Sequence, residues 1–62
     1  MSDSLALKFF VYDHLPESLK AIGRRFYELA HWLAAELPAG ADRTEALRRL
    51  LQAKDAAMRA RL

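Results

Sequence analysis

The sequence has one strong break. Leu37-Pro38-Ala39-Gly40-Ala41 sets a proline beside a glycine, and such a cluster marks a loop. Elsewhere the chain is built from helix formers: Ala and Leu supply 23 of the 62 residues, against two Gly and two Pro. The break divides the chain into two helical segments, 15–37 and 42–61. The connection between them is short, so the helices must run antiparallel. Residues 1–14 precede them as an arm. Pro16 suits the first turn of a helix, where its missing N–H is not needed, and Asp13 is placed to cap that turn. Asp42-Arg43-Thr44-Glu45 resembles a capping box, with an acceptor at the cap and a Glu three residues on. The expected fold is all-α: one domain, an antiparallel two-helix hairpin with a short N-terminal arm.

A hairpin of this size has too many apolar positions for itself. The first helix carries Leu15, Leu19, Ile22, Phe26, Leu29, Leu33 and Leu37 at helical spacing, close to a heptad seam. Glu17, Lys20, Arg24, Glu28 and His31 line the other side. Gly23 interrupts the helix, at about 1 kcal/mol relative to Ala, and reads first as a site of close packing. The second helix carries two tracks. Leu47, Leu51 and Met58 form one; Ala46, Leu50, Ala53, Ala57 and Ala60 form the other. Both cannot face a single seam. A chain this short buries only about 60% of the surface that it exposes when unfolded, yet 53% of its residues are hydrophobic. Without cysteine, disulfides, thiolate metal sites and thiol catalysis are excluded. Two histidines are too few for a histidine-only metal site, so neither a metal nor a cofactor is expected. Oligomerisation is the remaining way to stabilise a small chain, so the hairpin is expected to assemble as a homo-oligomer.

Charge and motifs narrow the function. Ten Lys/Arg against eight Asp/Glu give +2. No run of 18 apolar residues is present, so no transmembrane helix is expected. Met1-Ser2-Asp3-Ser4 lacks the basic start of a signal peptide. The expectation is a soluble, intracellular protein. There is no Gly-rich phosphate loop, no HExxH and no serine in a nucleophile setting, so the chain is not read as an enzyme. Glu28 and His31, at i,i+3, read as a surface pair.

The arm is different in character. Phe9, Phe10 and Tyr12 are half of the aromatic residues. Leu5, Leu7, Phe9 and Val11 alternate as an extended segment does, although Ser4 to Phe10 also fits a helical turn. The arm reads as packing on a hairpin, that of a neighbouring copy. His14 either caps the turn before Pro16 or touches a ligand. Flat bases need aromatic or guanidinium stacking, and phosphates need fixed cations. The arm aromatics offer faces, and Arg24 and Arg25 offer charge in the middle of the first helix. Two other readings compete. A DNA-binding module would use Arg43, Arg48, Arg49 and Lys54, although Glu45 and Asp55 dilute that face. A protein–protein adaptor would use the helical faces alone.

Some blocks go beyond pattern. Phe10-Val11-Tyr12-Asp13-His14-Leu15-Pro16, Leu29-Ala30, Leu37-Pro38 and Arg43-Thr44-Glu45-Ala46-Leu47, with Leu50-Leu51, Ala53-Lys54-Asp55-Ala56-Ala57 and Arg59-Ala60, resemble the phage anti-CBASS cyclic-oligonucleotide sponges. The likeness runs over about residues 9 to 61. The hairpin is also similar to that of a sister phage family that sequesters cyclic ADP-ribose-type signals of Thoeris defence. The resemblance implies a helical homo-oligomer, typically a hexamer, in the host cytoplasm. It implies that cyclic dinucleotides such as 3′,3′-cyclic GMP-AMP are held between protomers, and in some members cyclic trinucleotides in separate pockets. It implies sequestration without cleavage. The family pairs an arm aromatic with a basic residue of the first helix: here Tyr12, then Phe10 or Phe9, and Arg24 or Arg25. Where the family often has Ser-Lys-Pro, this chain has Gly23-Arg24-Arg25, which leaves open which of the two arginines is the phosphate donor. A trinucleotide pocket would draw on Arg59, Arg61 and Thr44.

Overall fold

The computed structural model describes residues 7–62. A single 3₁₀ turn, Lys8–Phe10, leads through a bend into helix α1, Glu17–Glu36, and a short loop leads to helix α2, Ala41–Arg61. Leu5 and the rest of residues 1–6 lie outside the described part. Of the other alternating positions, Leu7 and Phe9 are helical and only Val11 is extended, at φ −60°, ψ 136°.

Each helix begins differently from its sequence signals. Pro16 is extended at φ −58°, ψ 153° and takes the cap of α1, with no side-chain cap bond from Asp13 or any other residue. Its carbonyl accepts from Leu19 N at 2.9 Å and Lys20 N at 3.0 Å. A proline in this place loses nothing, because a cap residue needs no helical N–H bond. The helix ends at Glu36, since Pro38 forces Leu37 into the extended region, φ −90°, ψ 144°. The capping box also fails to form. Gly40 is the cap of α2, with no side-chain bond, and Thr44 N donates to its carbonyl at 3.1 Å. Asp42 therefore lies inside the first turn, where its charge opposes the positive end of the helix dipole. Gly40 has φ +156° and ψ 180°, a conformation open essentially to glycine alone.

The helices are antiparallel, and cations fasten both ends. At the loop end Arg43 donates to Ala34 O at 2.9 Å and Leu37 O at 3.0 Å. It thereby satisfies last-turn carbonyls of α1, which has no basic residue of its own there. At the open end Arg61 donates to Ser18 O at 3.4 Å. The molecule is a short rod of 34 × 18 × 18 Å.

Among the described residues three apolar ones are fully buried: Phe10, Ala30 and Leu47. Leu7, Phe26, Tyr27, Leu33, Leu50 and Leu51 pack around them, half-buried. Within the single chain the arm closes on its own hairpin. Its Phe10 fills the space above the small Ala30. In α2 the Leu47 track faces α1, while Ala53 and Ala60 of the second track are exposed.

Two contacts hold the arm. Lys54, 8% exposed, donates from Nζ to Phe9 O at 2.5 Å. The same ammonium lies 5.7 Å from the centre of the Phe10 ring, a cation–π distance. Gly23 provides the second contact. A Cβ there would stand 2.7 Å from Leu15 Cδ1, 2.9 Å from Tyr12 Cβ and 3.4 Å from Met58 Cε. The close-packing reading of this glycine holds, and what packs on it is chiefly the turn that leads into α1.

Two outcomes follow from these contacts. Gly23→Ala gains about 1 kcal/mol of helix propensity. It also incurs an overpacking cost of roughly 1–3 kcal/mol, because Tyr12 Cβ is tied to backbone and cannot swing away. A lower melting temperature is expected; a higher one would show that the turn yields freely. Lys54→Met keeps the stem's packing but leaves Phe9 O without its donor. A loss on the order of 1 kcal/mol is expected after relief of the buried charge. Amide exchange should rise in the arm before it rises in α1 and α2; unchanged protection would remove Lys54 from this role.

Candidate ligand-binding surface

Tyr12 is placed by the turn that follows Phe10. Leu15 N donates to Tyr12 O at 3.0 Å, and Gly23 lets the Tyr12 Cβ lie against α1. The ring is half-buried and meets Tyr27 edge-on, with centres 5.2 Å apart and planes at 65°. Tyr27 in turn lies 4.3 Å from the His31 ring. Such tilted and edge contacts hold the rings in preferred geometry.

Around this aromatic row lie three adjoining open recesses. One of about 280 Å³ is lined by Tyr12, Glu17, Lys20, Ala21 and Arg24. A second, about 180 Å³, lies on the other side of Tyr12, between Val11, Asp13 and Tyr27. A third, about 340 Å³, is lined by Ala21, Arg24, Arg25 and Glu28. Tyr12 joins the first two and Arg24 joins the first and third. The surface offers a ring edge and face, the small Ala21 as a floor, and three cations. Two of these cations are engaged by weak exposed pairs: Arg24 Nε to Glu28 Oε2 at 3.6 Å and Lys20 Nζ to Glu17 Oε1 at 3.4 Å.

The candidates named from sequence separate here. Tyr12, Arg24 and Arg25 come together on this surface. Phe10 does not: its ring is completely buried and cannot stack on a ligand without emptying the core, so it is corrected from binding residue to core residue. Phe9 is 61% exposed and His14 is exposed, and neither lines these recesses. Thr44 stands in the first turn of α2 and Arg61 in the last, about 26 Å apart at 1.5 Å per residue. Thr44 cannot share a pocket with Arg59 and Arg61 within one chain. Lys20 and Tyr27 are not among the site residues named from sequence, although Lys20 stands with Arg24 on the charged side of the first helix. Their signal was helical spacing from Arg24, at i−4 and i+3, which places all three along one side of α1.

The residues proposed for a DNA-reading face have other partners. Lys54 is buried under the arm and Arg43 is bound to the end of α1. Arg48 donates to both carboxylate oxygens of Glu45, and Arg49 Nε lies 3.2 Å from Glu45 Oε2. Among the described residues no group of three or more His, Asp or Glu is placed to hold a metal, and no helix is long and apolar enough to cross a membrane. No family model matches the chain, and no curated protein or solved structure does.

The Glu45 cluster gives a pH dependence. The hydrogen bond from Arg48 holds the Glu45 carboxyl below its ordinary range; partial desolvation opposes this, and the charges of Arg48 and Arg49 add to it. Because the folded value is the lower one, the stabilisation is complete above the unfolded carboxylate range. It is lost as pH falls through the folded value. Glu45→Gln should therefore be less stable than the parent chain at neutral pH, with the difference fading in acid. Melting temperatures of both across that range would test this; a difference that persists in strong acid would deny the ion pair its part.

Proposed function

We propose that this protein is a homo-oligomer, a hexamer, that binds and sequesters cyclic oligonucleotide second messengers without cleaving them. Acting in the host cytoplasm, it would keep such a messenger from the effectors of CBASS anti-phage immunity. The observation that supports this reading is the shared recess of Tyr12 and Arg24, an arm aromatic beside a cation from the middle of α1. Those are the two residue types that the sponge resemblance pairs, and they are what a base and a phosphate require.

The mechanism is binding alone. The Tyr12 ring stacks on a base, supported from behind by Tyr27. Arg24 turns from Glu28 to a phosphate oxygen, with Lys20 adding charge. Each recess is open, and one hairpin encloses too little of a molecule with two bases and two phosphates. Two symmetry-related copies present paired tyrosines and paired arginines to a ligand that is itself nearly twofold. One cyclic dinucleotide per two chains follows. A trinucleotide pocket built from Thr44, Arg59 and Arg61 would need residues from several copies.

Native mass spectrometry with a panel of cyclic oligonucleotides tests subunit number and ligand stoichiometry together. A 3′,3′-linked cyclic dinucleotide is expected to bind and to be recovered intact on heating. Tyr12→Ala should weaken binding by about 1–3 kcal/mol for the stacked base. Arg24→Ala should cost roughly 1.5–3 kcal/mol for the charge-assisted contact. Both variants should keep the helical circular dichroism of the parent. Linear product would make the protein an enzyme, and no binding by any cyclic nucleotide would leave the adaptor reading.

A further inference from the structure

The outer side of α1 carries a second pattern, which meets the candidate surface at Arg25. Leu29 and Trp32 are 43% and 58% exposed although both are large and apolar. Arg25 precedes Leu29 by one turn, Glu36 follows Trp32 by one turn, and both are exposed. Positions 25, 29, 32 and 36 repeat at four, three and four. At 3.6 residues per turn they fall within a strip about 60° wide, the geometry of a coiled-coil seam.

The strip is also self-complementary. Leu29 and Trp32 lie equally far on either side of a point level with the bond between Ala30 and His31. Arg25 and Glu36 do the same. A twofold axis through that point sets each Leu29 against a partner Trp32 and each Arg25 against a partner Glu36. Within one chain Arg25 and Glu36 are about 16 Å apart along the axis and cannot meet. No ion pair to either is formed among the described residues. Glu36 sits in the last turn of α1, where the helix dipole disfavours a negative charge. We infer that a second copy of this chain covers this strip, with the two α1 helices antiparallel about a twofold axis, Leu29 on Trp32 and Arg25 on Glu36. This gives the proposed homo-oligomer one specific interface, and it assigns Arg25 to assembly rather than to phosphate.

The experiment uses the full chain without nucleotide, so its outcome is independent of ligand binding. Trp32 is the sole tryptophan, and its emission reports cover over the strip. The emission should shift to the red on dilution, as sedimentation shows dissociation. Arg25→Glu and Glu36→Arg, taken singly, set like charges against each other and should weaken association more than about tenfold. The double variant Arg25→Glu/Glu36→Arg should restore it. A chain monomeric at every concentration would overturn the inference, as would assembly with Trp32 still solvent-exposed, single variants without effect, or a double variant that fails to restore association. A chain that assembles in this way yet binds no cyclic nucleotide would overturn the ligand reading alone.

Discussion

The docking of Phe10 is the contact on which the rest of the structure depends. Two helices meet along one seam and cannot enclose a large side chain by themselves. Here the arm supplies the missing wall. Phe10 and Leu47 are the two large side chains that are fully buried, and removing a buried Phe typically costs about 3–5 kcal/mol. For a small domain that is most of the net stability. Lys54 secures this contact twice, through the Phe9 carbonyl and over the Phe10 ring. The lysine lies on α2, so a single side chain ties that helix to the 3₁₀ turn.

The binding surface inherits its geometry from that docking. Tyr12 follows Phe10 by two residues, and its turn is closed by Leu15 N. Once Phe10 is seated, the chain must pass close over α1. Gly23 is where it passes, at distances that admit no side chain on the helix. Arg24 is the next residue, one-quarter turn round. Gly23 is therefore what brings the arm aromatic down to the level of the arginine. Packing and recognition meet at adjacent positions, Gly23 and Arg24.

Much of the architecture was legible in the sequence because it rests on local chemistry. The Pro38–Gly40 loop, the two helices and the antiparallel arrangement all follow from propensity and chain length. Less local features were hidden. Phe9 and Phe10 look equivalent in a list, but side chains in a 3₁₀ turn point about 120° apart. One of them is fully buried and the other is 61% exposed. Lys54 sits among Ala53, Asp55 and Ala56, and reads as a candidate for a DNA-reading basic face; only the arm's arrival buries it. Arg43 reads as part of a capping box or a basic face, and instead it satisfies the end of the other helix. Asp13 and Asp42 both carry cap chemistry, but backbone geometry at Pro16 and Gly40 took the cap positions first. In each case the deciding partner is far away in the sequence.

The same partners set which cations the candidate surface leaves lightly engaged, in a chain with only a small excess of positive charge. Lys54, Arg43 and Arg61 are bound to main-chain carbonyls, and Arg48 and Arg49 to Glu45. On the candidate surface the only competitors for Arg24 and Lys20 among the described ion pairs are Glu28 and Glu17, one turn away in each case. An exposed pair of that kind is worth about 0.3–0.5 kcal/mol. A charge-assisted bond to a phosphate contributes roughly 1.5–3 kcal/mol. On the proposed reading a phosphate would win by that margin, and its departure would let the pair re-form. Glu28 and Glu17 would then hold the cations in place between binding events without closing the site to an anion.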